Sequence, residues 1–225
     1  MRTHPIFLCL EGRRCVVVGG DGAAAVKAAA CARAGGEVIV IGSEVVAELA
    51  ALAAAGRVQH RARPYQEGDL SGAVLAYAST QDPELIGRLA GEAGRERVLL
   101  NVIDVPGACT FVSPAVVERG GLCVAICTGG ASPGLAARLR RQREAQLGPE
   151  YAPFVTILGA VRRALGADPA RAGTRAAVVA TLLDSPLLEL VRAGRGAEVD
   201  ALLASVAGRG CTLEGLGVTL DGPGE

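Results

Sequence analysis

A β-branched run that breaks into a glycine turn and then an alanine-rich helix start leaves few folds open. Here it is Cys15-Val-Val-Val-Gly-Gly-Asp-Gly-Ala-Ala-Ala-Val-Lys27. A buried strand that hands its chain to a helix through glycines is the first unit of a parallel βαβ sheet. It is also the arrangement by which a backbone approaches a pyrophosphate, because the helix N-terminus offers orphan N–H groups and a positive dipole end. Read as G-x-G-x-x-A, the fingerprint falls on Gly20, Gly22 and Ala25. Asp21 sits inside it. A carboxylate is electrostatically unwelcome in a phosphate-binding turn unless it points away or caps the helix.

The same alternation continues. Apolar runs at Glu37–Ile41, Val58–Ala62, Ala73–Ala78 and Val98–Val102 predict four more strands. Helical stretches are expected at about Gly22–Ala34, Glu44–Ala55 and Pro83–Ala93, with Gly35-Gly36 stopping the first. The reading is an α/β fold with a doubly wound parallel sheet. After it the pattern changes. Cys109–Val112 and Leu122–Cys127 read as two further strands joined through residues 113–121. Ser132 is placed to cap a basic helix that has Pro133 in its first turn. From about Pro149 the chain reads as helices only, with starts at Pro149, Asp168-Pro169 and Ser185-Pro186. The tail Gly215–Glu225 is glycine-rich and reads as loose.

Composition narrows the setting. With 23 basic and 23 acidic residues, bulk charge favours neither nucleic acid nor a membrane surface. Seven cysteines are present, an odd number without a C-x-x-C pair, which argues against a disulfide framework or a zinc site. They read as small core hydrophobes, Cys123 and Cys127 included. No resident metal is expected. A signal-peptide pattern and a membrane-length apolar stretch are both lacking, so the expected compartment is the cytoplasm.

In order and spacing, several short motifs resemble the precorrin-2 dehydrogenase/sirohydrochlorin ferrochelatase family, the siroheme-synthase module. They are Pro5-Ile-Phe-Leu8, Gly12-Arg-Arg-Cys-Val-Val-Val-Gly-Gly20 with Lys27, Asp69-Leu70, Ala78-Ser-Thr-Gln-Asp82, Asn101-Val-Ile-Asp104, Thr110-Phe-Val-Ser-Pro-Ala115 and Gly129-Gly-Ala-Ser-Pro-Gly-Leu-Ala136. They cover roughly residues 5 to 145. The chain departs from the pattern at Asp21, Val26, Ile86 and Ala137. The resemblance implies an NAD-binding Rossmann domain over residues 1–112 and a strand-and-helix dimerisation and substrate-cleft segment over 113–148. Residues 149–225 would form a helical C-terminal domain. It implies NAD⁺-dependent oxidation of precorrin-2 to sirohydrochlorin by a homodimer. It leaves open whether Fe²⁺ is then inserted as a second substrate. A non-catalytic NAD-sensing module is the alternative, and it would explain the glycine turn but not the later motifs.

Candidate site residues follow. Gly19, Gly20, Gly22 and Ala23 would carry the cofactor phosphates. Ser43 and Glu44, about 20 residues on, are placed for the ribose hydroxyls, and Thr80 lies after the fourth strand. No arginine is adjacent to Glu44 in sequence, which favours NAD over NADP. The bland reading of Glu44 is a charge at a helix start. The resemblance assigns catalysis to Asp104, for which an Asx turn is the bland alternative. It assigns the anionic tetrapyrrole to Asn101, Thr128, Gly129, Gly130, Ser132 and Arg138. Arg138, Arg140, Arg141 and Arg143 could together grip carboxylates, or form a solvated helix face. His60 reads as an exposed strand residue.

Overall fold

Val16, Val17 and Val18 are almost wholly excluded from solvent, and so is Cys15 beside them. A strand buried on both faces must lie inside a sheet covered on each side. The computed structural model, which describes residues 2–166, 172–208 and 210–220, places it there. Strands β1 (Arg14–Val18), β2 (Glu37–Ile41), β3 (Gln59–Arg61), β4 (Leu75–Ala78) and β5 (Leu99–Val102) form a parallel sheet in the order β3-β2-β1-β4-β5. Alternate residues sort to opposite faces. Cys15, Val17, Val38 and Val40 face helix α1 (Gly22–Arg33) and helix α2 (Ala47–Ala54). Val16, Val18, Ile41 and Leu100 pack with Leu89 and Ala93 of helix α3 (Pro83–Glu96).

Alanine lets α1 lie close on the sheet, with Ala24 and Ala28 fully buried. The helix stops as expected. Gly35 takes φ 79°, the Gly36 N–H reaches the Cys31 carbonyl at 3.0 Å and the Gly35 N–H reaches Ala32 at 3.2 Å. This is the paired closure that a left-handed glycine permits. Helix α2 begins at Ala47, three residues later than expected, because Val46 rather than Glu44 occupies the cap. Glu44 therefore lies in the loop after β2 and is not a helix-start charge.

Between β3 and β4 the chain makes turns instead of a helix. Two buried carboxylates organise that loop. Asp69 accepts from Arg63 at 2.7 and 2.8 Å, from Arg61 at 3.3 Å and from the Gln66 N–H at 2.9 Å. Glu92, reaching down from α3, accepts from the N–H groups of Leu70 and Gly68 at 2.8 and 3.0 Å, and from the Tyr65 hydroxyl.

Three expectations need correction. Cys109–Val112 is not a strand. Thr110 spends its N–H on the Leu100 carbonyl at 2.8 Å, and its hydroxyl accepts from the Leu100 N–H at 2.8 Å. The segment is thereby held against β5 without forming a ladder. The strand instead lies within the presumed connection, as β6 (Ala115–Arg119), antiparallel to β7 (Leu122–Ile126). Cys123 and Cys127 are exposed rather than core: Cys123 falls on the uncovered face of β7, and Cys127 directly follows that strand. His60 is half-buried rather than exposed, with its Nε2 2.8 Å from the Gly42 carbonyl.

The chain divides into two compact units. The first runs up to Ser113 and includes Gly129–Ala131; the second comprises Pro114–Thr128 and the residues from Ser132 onward. In the second unit the hairpin packs against helix α4 (Pro133–Gln146). Arg119 closes the end of α4 by donating to the carbonyls of Leu147 at 2.8 Å and Glu144 at 3.2 Å. Helices α5 (Tyr151–Ala164), α6 (Ala172–Leu183), α7 (Leu187–Arg192) and α8 (Gly196–Ala207) close around Ile157, Val161, Leu182, Leu187, Val199 and Leu203. The expected start at Asp168-Pro169 lies outside the described residues. The tail is packed where it is described, with Val218 in the helical core and Leu216 and Leu220 against it, and just ahead of it the Leu213 N–H is bound to Asp200 at 2.6 Å. Residues 221–225 lie outside the described residues. Among the described residues no helix is long and apolar enough to cross a membrane.

Candidate active site

In a parallel sheet every strand delivers its following loop to one edge. Ligands sit outside that edge, where the strand order reverses direction. Here the reversal lies between β1 and β4, and the first loop there is the glycine turn. Gly19 has φ 125°, a conformation that L side chains rarely adopt. A Cβ on Gly20 would lie 1.8 Å from the Glu44 carbonyl oxygen. The Val46 N–H bonds the Gly20 carbonyl at 2.8 Å. Glycine thus lets the loop after β2 close onto the turn, and exposed Ser43 and Glu44 are brought beside it. Gly22 and Ala23 are exposed at the start of α1, and a Cβ on Gly22 would meet nothing within 4 Å.

The shape of this turn fits a dinucleotide, but its charge does not favour one. Asp21 caps α1, accepting from the Ala24 N–H at 2.9 Å, and its other oxygen accepts from the Ser79 hydroxyl at 2.6 Å. The Ser79 bond first, then the Ala24 N–H, hold this carboxyl below the usual carboxylate range. Thr80 follows Ser79, half-buried, with its hydroxyl accepting from the Asp82 N–H at 3.1 Å.

Two strands along, at the end of β5, Ile103 and Asp104 form a turn. The Val105 N–H closes it onto the Val102 carbonyl at 3.1 Å. Asp104 has φ 61°, one of two non-glycine residues with positive φ among those described. Aspartate visits this region more readily than most residues, yet single residues held there cluster at functional sites. Its side chain is exposed and, among the described residues, no hydrogen bond engages it, so the Asx-turn reading fails. Its carboxylate acts electrostatically on Lys27. Burial pulls its ammonium below the usual lysine value, while Cys31 and the Asp104 carboxylate act in the other direction. The Lys27 Nζ lies 5.3 Å from the centre of the Tyr77 ring. Asn101 is buried on β5, and its amide donates to the Phe111 carbonyl at 2.9 Å, which ties down the segment that follows the Asp104 turn.

The sequence-expected residues divide between the units. Gly19, Gly20, Gly22, Ala23, Ser43, Glu44, Thr80, Asn101 and Asp104 belong to the first, together with Gly129 and Gly130, which have φ 62° and 81°. Thr128, Ser132 and Arg138 belong to the second. Thr128 and Ser132 bond each other through hydroxyl, N–H and carbonyl at 3.1 and 3.2 Å. Ser132 also caps α4 as expected, accepting from the Leu135 N–H at 3.2 Å. Of the α4 arginines, Arg140 pairs with Glu144 at 2.6 Å and Arg143 with Gln146 at 2.5 Å, while Arg138 and Arg141 stand exposed. Sequence reasoning did not single out Ser79. Its signals in the sequence are its place directly after β4 and its membership of the Ala78–Asp82 motif.

Residues 6–115 match the family described as putative NAD(P)-binding. The siroheme synthase of Pseudomonas putida F1 is 34% identical over 220 residues, which are 98% of this chain and 48% of that protein. The siroheme synthase of Methylobacillus flagellatus is 37% identical over 165 residues, 73% of this chain and 35% of that protein. The chain thus spans about half the length of the curated relatives it matches, or less. The solved structure of SirC, a precorrin-2 dehydrogenase, shares the fold with a TM-score of 0.70 at 20% identity, over 91% of this chain and 98% of that one. The chain is therefore homologous, over most of its length, to part of the siroheme synthases, and its residues 6–115 match a putative NAD(P)-binding domain.

Proposed function

We propose that the protein oxidises precorrin-2 to sirohydrochlorin with NAD⁺, the activity to which the names of its relatives point. The observation that carries this is Asp104: an exposed carboxylate on a left-handed turn, otherwise unbonded, on the same sheet edge as the glycine turn. Neighbouring strands lie about 4.8 Å apart, so the ends of β1 and β5 are separated by roughly 10 Å. That distance suits a cofactor held at the first and a substrate reached from the second. NAD⁺, when bound, supplies a hydride acceptor. Gly19, Gly20, Gly22 and Ala23 hold its phosphates, Ser43 and Glu44 its ribose hydroxyls, and Thr80 flanks it. Asp104 takes the proton that the ring loses. Asn101, Gly129 and Gly130 are the proposed contacts to the anionic macrocycle in the first unit, the Asn101 amide being engaged by the Phe111 carbonyl at 2.9 Å; Thr128, Ser132 and Arg138 are those proposed in the second.

Purified protein given precorrin-2 and NAD⁺ should form sirohydrochlorin, with NADP⁺ the poorer acceptor. Added Fe²⁺ then measures whether insertion follows. Binding of NAD⁺ without turnover of precorrin-2 would transfer the protein to the class of NAD-sensing modules.

The active form in this reading is a cytoplasmic homodimer paired through residues 109–146. The support is the exposed, apolar outer face of β7, which carries Cys123 and Ala125. Sedimentation at micromolar concentration should show a dimer, and a compact folded monomer would refute the pairing.

A further inference from the structure

Asp21 lies where a ligand is expected. Its Oδ1 is held by the Ala24 N–H of α1 and its Oδ2 by the Ser79 hydroxyl, which follows β4. The carboxylate therefore bridges the crevice between β1 and β4. In an open α/β sheet that crevice receives the ligand, and the helix N-terminus receives its phosphate. A carboxylate and a phosphate present the same acceptor oxygens and the same sign of charge. Only one of them can hold the Ala24 N–H.

We infer that Asp21 is a built-in occupant of the phosphate position, so that a dinucleotide reaches the N-terminus of α1 only by displacing the Asp21 carboxylate from Ala24 and Ser79. Asp21 thus sets the affinity of the site for phosphate-bearing ligands and distinguishes them from nucleosides. Exposed Gly22 and Ala23 leave the approach open. This inference rests on the dinucleotide reading above.

The test is calorimetric titration of the wild type, Asp21→Asn and Ser79→Ala with NAD⁺, ADP and adenosine. Asparagine caps a helix about as well as aspartate, so Asp21→Asn removes charge while keeping the helix start. It should tighten NAD⁺ and ADP by about tenfold, the scale of one like-charge contact relieved near a surface, and leave adenosine unchanged. Ser79→Ala removes one anchor and should shift both phosphate ligands in the same direction by less. Equal or weaker binding of NAD⁺ by Asp21→Asn overturns the inference and makes Asp21 a ligand of the cofactor or a bystander. If no protein in the set binds any phosphate ligand, the dinucleotide reading itself falls, and this inference with it.

Discussion

Asp69 and Asp104 belong to the same unit and follow β3 and β5 of the same sheet, yet they live under opposite conditions. Asp69 is 5% exposed and has every lone-pair direction answered by Arg61, Arg63 and the Gln66 N–H. Asp104 is exposed, lies at φ 61°, and no hydrogen bond among the described residues engages it. A buried charge must be compensated, because an unpaired one is far costlier than a solvated one. A reactive charge must be left uncompensated, because each bond it makes to the protein weakens it as a base. The difference separates a carboxylate that holds the fold from one that can do chemistry.

The same substitution at each position probes that contrast. Asp104→Asn should lower precorrin-2 oxidation by about 10²-fold or more, the usual scale for a general base. Turnover at the wild-type rate would remove Asp104 from the mechanism. Asp69→Asn should instead lower stability by about 2 kcal/mol, since it leaves two guanidinium groups without their counter-charge. Denaturant unfolding measures this, and an unchanged midpoint would show that solvent screens the arginines, each about one-third exposed.

Protonation should do to Asp69 what the substitution does. The Arg63 contact, then the Gln66 N–H and Arg61, hold its carboxyl below the usual carboxylate range. A group depressed by folding contributes stability above its unfolded value, near 4, and loses that contribution as pH falls through its folded value. The stability gap between wild type and Asp69→Asn should therefore be constant above about pH 5 and shrink below about pH 4. A gap independent of pH would mean that the loss on substitution comes from packing and not from charge.

These two aspartates also mark what the sequence made legible. Asp104 was singled out by the family resemblance of its motif; its place after a strand agreed with that, but local statistics alone favoured an Asx turn. The central strand, its glycine turn and the order of alternation were legible from the residues themselves, because they are local patterns of period and turn chemistry. Asp69 was visible only as part of a motif. Its partners Arg61 and Arg63 are near in sequence, but Glu92, which completes the loop, arrives from α3 more than 20 residues away. No local signal announces that pairing. Cys109–Val112 misled for a related reason. It has strand composition, and what denies it a ladder is the tertiary bonding of Thr110 to Leu100. Asp21 could be recognised as out of place in sequence, but its attachment to Ser79, 58 residues on, could not.

The smallest effect expected is also the one that separates the two roles most cleanly. Asp104→Asn should change stability by no more than about 0.5 kcal/mol, the ordinary range for a surface substitution away from special features. The backbone gives no reason for loss, because asparagine occupies the left-handed region at least as readily as aspartate. The side chain gives none either, since no hydrogen bond among the described residues is broken. What remains is the electrostatic attraction to half-buried Lys27, which this substitution removes. If unfolding in denaturant shows a loss near that of Asp69→Asn, then Asp104 is tied to Lys27 strongly enough to count as structural. Its left-handed turn would then be a consequence of that pairing. If stability holds while oxidation collapses, the exposed carboxylate at the end of β5 is kept for the reaction alone.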